Sequence, residues 1–117
     1  MAKELDLPYG PHPLTDDEIN AHVSGSLAGA YALGFTVTDG VFDVDFVGRS
    51  AHDLRAKLLF HTPYRHPEFL FTYCRNDEEA YDRECELYHE FHPRDNLVHP
   101  AAPLDSHLHC KICHHRG

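Results

Sequence analysis

Apolar positions recur at helical spacing over residues 76–96, NDEEAYDRECELYHEFHPRDN, and this stretch organises the chain. On a period of about 3.6 residues, Ala80, Leu87, Tyr88 and Phe91 form one apolar stripe. Asn76 is placed to cap the helix, with Glu79 placed to reach back to it, a capping-box arrangement. Acids at 77–79 suit the positive end of the helix dipole, and Pro93 predicts a stop before it. Glu84 falls inside the apolar stripe. A carboxylate on a core-facing stripe is costly unless paired, hydrogen-bonded or bound to a metal, so Glu84 is the first candidate site residue. Cys85 and His89, one turn apart on a neighbouring face, are the second pair of candidates.

Upstream, the pattern changes. Residues 1–14 contain Pro8, Pro11 and Pro13 and predict an irregular arm. Thr15 to Val23 predicts a short helix with a Thr15/Glu18 capping box. GAYALGFTV, 29–37, and VFDVDFVG, 41–48, predict two strands joined at Thr38-Asp39-Gly40, a hairpin signal. Strict alternation in the second strand puts Val41, Asp43, Asp45 and Val47 on one face and Phe42, Val44 and Phe46 on the other. A helix is predicted from Ser50 to about His61, and a third strand over EFLFTYCR, 68–75. The fold class is therefore α+β: a small three-stranded, largely antiparallel sheet covered by helices. The chain divides into an arm and short helix (1–26), a central domain (27–96) and a C-terminal tail (97–117).

Composition narrows the chemistry. With 117 residues the core is modest, and a structural metal would help it. No apolar run reaches the roughly 18 residues of a membrane helix, so no membrane association is expected. The opening MAKELDLPYG is neither basic nor apolar enough for a secretory signal, which makes the expected compartment the cytoplasm. The net charge of −9 argues against whole-surface attraction to nucleic acid. A local basic groove remains open to Arg49, Arg55, Lys57, Arg65 and Arg75. The four cysteines point to metal rather than disulfides in that compartment. Cys110-x-x-Cys113 is a zinc-knuckle spacing that needs two more ligands. Cys85 and His89 offer the other chelating pair, with His92, His99, His107, His109 and His114 as alternatives for the fourth ligand. Such a Zn²⁺ would be structural and would pin the tail to the helix that carries Glu84.

A resemblance adds a mechanism. Gly29-Ala30-Tyr31, then Phe46-Val47-Gly48, then Asp53-Leu54-Arg55-Ala56-Lys57-Leu58, then Glu84 and Asn96, resemble in order the GIY-YIG nuclease superfamily over roughly residues 27–96. The resemblance implies that Tyr31 contacts the attacking water and that Glu84 holds a catalytic Mg²⁺ or Mn²⁺. It further implies that Asn96 closes the motif and that Arg49 is the basic residue following the motif glycine. The family arginine falls on Lys57 and the second family tyrosine on Phe46. The implied catalytic set is Tyr31, Arg49, Lys57, Glu84 and Asn96, with Arg49, Arg55 and Lys57 as phosphate-binding candidates. The implied function is metal-dependent phosphodiester cleavage of nucleic acid, DNA ahead of RNA. The alternative is a catalytically weakened module of that fold, binding nucleic acid or a protein. Oligomeric state is not readable from the pattern.

Overall fold

A computed structural model describes residues 9–62, 66–103 and 106–113. Its elements are β1 (Tyr9–Pro13), α1 (Asp16–His22), β2 (Ala28–Thr36), β3 (Phe42–Ser50), α2 (Leu54–His61), β4 (Glu68–Cys74) and α3 (Asp77–Phe91). The strands form one antiparallel sheet in the order β1-β4-β2-β3. Successive side chains of a strand face opposite ways. Tyr31 and Leu33 of β2 and Phe69 and Phe71 of β4 accordingly pack with Leu14, Ile19, Val23, Leu54 and Leu58, the face covered by α1 and α2. Ala32 and Leu70 pack with Val44, Val47 and Leu87, the face covered by α3. With both faces covered, β2 is buried from Ala28 to Gly34.

Among the described residues the sheet has four strands, not three. The fourth, β1, lies where an irregular arm is expected. It pairs with β4 at the sheet edge, where Pro11 and Pro13 need supply no ladder N–H. Its side chains are mostly exposed, so it carries no apolar alternation to betray it. Gly10 has a φ of 113°, and a Cβ there would meet the Phe69 carbonyl oxygen at 2.8 Å.

Strict alternation in β3 also fails. Leu33 pairs with Phe46 but Gly34 pairs with Val44, so Asp45 is a bulge. The extra residue brings Val44 and Val47 to the same face, under α3, and leaves Phe46 against the α1/α2 core. The second helix starts at Leu54 rather than Ser50. Ser50 ends β3, and its hydroxyl accepts from the Asp53 N–H at 3.0 Å. Asp53 in turn caps α2 by accepting from the Ala56 N–H at 3.1 Å.

At α3 the Asn76 side chain accepts from the Glu79 N–H at 2.9 Å. The Glu79 carboxylate does not reach back to Asn76. It accepts from the Arg75 N–H at 3.1 Å and from Arg75 Nε at 2.9 Å. The helix ends at His92, left-handed with a φ of 46°, just before Pro93. No helix among the described residues is long and apolar enough to cross a membrane.

Candidate active site and candidate metal centre

Tyr31, Arg49, Lys57 and Glu84 line one cavity of about 410 Å³, together with Phe46, Gly48, Asp77 and Ala101. They arrive from β2, β3, α2 and α3. The cavity opens at β3, the sheet edge beside β2. Gly48 sits opposite Tyr31 in the ladder. A Cβ there would overlap the Tyr31 hydroxyl and ring, so the missing side chain is what lets the ring cross β3.

The tyrosine has a partner. Its hydroxyl lies 2.8 Å from His61 Nε2 at the C-terminal end of α2. Burial, then the Glu84 charge, raise the Tyr31 pKa and keep the phenol protonated. Burial, then Lys57 and His66, depress the His61 pKa to about 4, so the imidazole is neutral. The phenol therefore donates and Nε2 accepts. His61 was not among the expected site residues. Its place at the end of α2 is compatible with facing the cavity, but only the packing of β2 against α2 makes the bond.

On the other side of the cavity, Glu84 is 8 % exposed. Arg49 reaches over from β3, its Nη1 donating to Glu84 Oε1 at 2.8 Å and its Nε to Asp77 at 2.7 Å. The guanidinium also lies over the Tyr81 ring, 5.1 Å from the centroid. Burial opposes the arginine's charge, but hydrogen bonds to the two carboxylates outweigh it and the pKa rises. Burial pushes the Glu84 carboxyl up, and Arg49 only partly reverses this. The asymmetry follows from one guanidinium being shared by two acids. Asp77 was also missed, although it lies two helical turns before Glu84 on the same face.

Two other expected site residues lie away from the cavity lining. Asn96 binds the backbone of Val47, accepting from its N–H at 2.8 Å and donating to its C=O at 2.9 Å. It pins the end of α3 to the strand just before Gly48. Arg55 points away from Lys57, as two helical positions dictate, and its guanidinium covers Gly25.

A separate group gathers on α3 and the tail. Ligand atoms of His89, His99, Cys110 and Cys113 all lie within 4.8 Å of one another, and this His2Cys2 set could bind a metal ion. His99 Nε2 is 3.3 Å from His89 Nε2 and 3.5 Å from Cys113 Sγ. His99 Nδ1 lies 2.8 Å from the Pro100 carbonyl, which can only accept. The proton is thereby fixed on Nδ1 and the Nε2 lone pair is turned to the cluster. Cys85, expected as a ligand, is not in the group of four. It is 1 % exposed, packed with Tyr81 and Cys110. Burial raises its pKa to about 12, and it donates to the Cys110 sulfur. His99 stands in its place, one of the alternatives open from the sequence. His114 lies outside the described residues.

The two regions touch. Arg49 Nη1 donates to the Ala101 carbonyl at 2.7 Å, two residues beyond His99. Comparison of the chain with protein-family models, curated proteins and solved structures found no match.

Proposed function

We propose that this chain is a GIY-YIG-like, divalent-metal-dependent nuclease that cleaves nucleic-acid phosphodiesters, DNA ahead of RNA, and that a Zn²⁺ in the tail is structural. The observation that carries the reading is the meeting of Tyr31, Arg49, Lys57 and Glu84 in one cavity, from positions far apart in the chain. The resemblance requires these residues together, and nothing in their spacing forces it. Glu84 and Asp77 offer the hard oxygen donors that suit Mg²⁺ or Mn²⁺. When bound, such an ion polarises the phosphate and stabilises the leaving oxygen.

The remaining chemistry belongs to the side chains. Tyr31 takes a proton from the attacking water as its own proton passes along the 2.8 Å bond to His61 Nε2. The water oxygen attacks phosphorus, the P–O bond to the leaving group breaks, and His61 holds the proton as imidazolium. Lys57 and Arg49 place positive charge beside the phosphoryl group. Asn96 acts as a positioning residue through Val47.

For the tail, a tetrahedral zinc with bonds of about 2.1 Å to nitrogen and about 2.3 Å to sulfur has N–N and N–S edges of about 3.4 and about 3.6 Å. The 3.3 Å and 3.5 Å separations at His99 fit those edges. The set is a closed Cys2His2 one, which supports a structural role.

A second reading is a binding module without strong catalysis. Two observations favour it: Glu84 and Asp77 are already ion-paired to Arg49, and Phe46 lacks the hydroxyl of the second family tyrosine. One assay separates the two. Zinc-loaded protein is incubated with single-stranded, duplex and branched DNA, with Mg²⁺, Mn²⁺ or neither. Ion-dependent cleavage, lost in Glu84→Ala, is the expected result. Binding without cleavage on every substrate would replace the nuclease reading with the second.

A further inference from the structure

On the sheet face opposite α3, β1 and α1 gather a second group of ligand atoms. Those of His12, Glu18 and His22 lie within 4.8 Å of one another. The supports are firm. His12 is in register with Phe69, and the two rings are 5.6 Å apart. The Leu14 N–H donates to the Pro67 carbonyl at 2.8 Å, and the Leu14 side chain is buried. Thr15 caps α1 by accepting from the Glu18 N–H at 3.2 Å. Ile19 and Val23 bury the inner side of the helix.

Glu18 and His22 are one turn apart and approach to 3.4 Å, an ordinary pair for a helix surface. His12 is not explained by helix spacing. It comes from a different element, and its ring lies parallel to that of His22, 4.0 Å away with 7° between planes. Two imidazoles and a carboxylate are thus brought together by the turn between β1 and α1.

We infer that His12, Glu18 and His22 form a second metal site, for Zn²⁺ or a similar first-row divalent ion, which braces β1 against α1. Two nitrogens and one carboxylate oxygen suit such an ion better than Mg²⁺ or Ca²⁺. Three protein ligands leave a coordination position for water. His22 is exposed and Glu18 partly so, which gives the ion a path from solvent. The brace has something to hold: β1 is a five-residue edge strand containing two prolines.

The test titrates Zn²⁺ into protein already carrying zinc in the Cys/His cluster, by calorimetry, beside His12→Gln and His22→Gln. The expected result is one further equivalent in the wild type, bound at least about tenfold more weakly in each variant. Retention of the cluster zinc reports that the variants are folded. Amide exchange over residues 9–23 should slow with the added equivalent in the wild type alone. Zn²⁺ uptake that is the same in the wild type and in both histidine variants, whatever its stoichiometry, would overturn the site.

Discussion

Glu84 and Cys85 are neighbours on α3, and both are buried. They belong to different regions. Glu84 faces the cavity, where its partner Arg49 is on β3 and every lining residue except Ala101 of the tail belongs to the sheet-and-helix body. Cys85 faces Cys110, on a segment with little regular structure of its own. The first region is held by the folded core. The second has few apolar contacts to offset the entropy of ordering the tail, so a metal held by the His2Cys2 set would supply stability that packing does not. The difference predicts that the cavity should survive loss of metal far better than the tail does.

The largest effect should come from breaking the cluster. Replacing Cys110 with serine, or stripping the ion with a chelator, should lower Tm by more than about 20 °C and free the tail. Cys74→Ser should retain the metal, because Cys74 is on β4 and outside the group of four. Metal analysis and a melting curve on each variant check this.

A smaller effect is expected in the cavity. Arg49→Met leaves Glu84 buried without its cation and should destabilise by about 3 kcal/mol in urea unfolding. Adding Glu84→Met should recover much of that loss, because no charge is then stranded. An additive double variant would mean that the two side chains do not share one energy term.

The smallest effect concerns acid. His61 has a folded pKa of about 4 against an ordinary value of 6.5. A histidine held neutral contributes stability above its unfolded pKa, and that contribution is lost as pH falls from about 6.5 through about 4. The wild type should therefore lose stability over that window more steeply than His61→Gln, measured by denaturant unfolding at successive pH values. Parallel curves would mean that His61 is not held neutral beside Tyr31.

The same contrast governs what the chain's pattern revealed. The course of α3, its Asn76 cap, the hairpin at 38–40 and the inward carboxylate at Glu84 follow from local period and turn chemistry. These signals act over a few residues. The β1 strand escaped because an edge strand with prolines has no alternation to read. The Asp45 bulge escaped because an extra residue is defined only by what it pairs with. At the cluster, the spacing of Cys85 and His89 made both thiol and imidazole plausible ligands. Core packing with Tyr81 turned Cys85 inward, and the Pro100 carbonyl turned His99 toward the group instead. The Tyr31–His61 bond and the Arg49–Ala101 bond join segments whose approach is set by the whole fold.

The central claim is that the cavity performs the chemistry and the cluster only holds the tail. The direct measurement is Mn²⁺-dependent DNA cleavage by zinc-loaded wild type, Glu84→Ala and Tyr31→Phe, with bound zinc quantified in each. The account predicts that both variants keep their zinc and lose cleavage by at least about a hundredfold. Cleavage that persists in both zinc-loaded variants would contradict it and place the chemistry elsewhere.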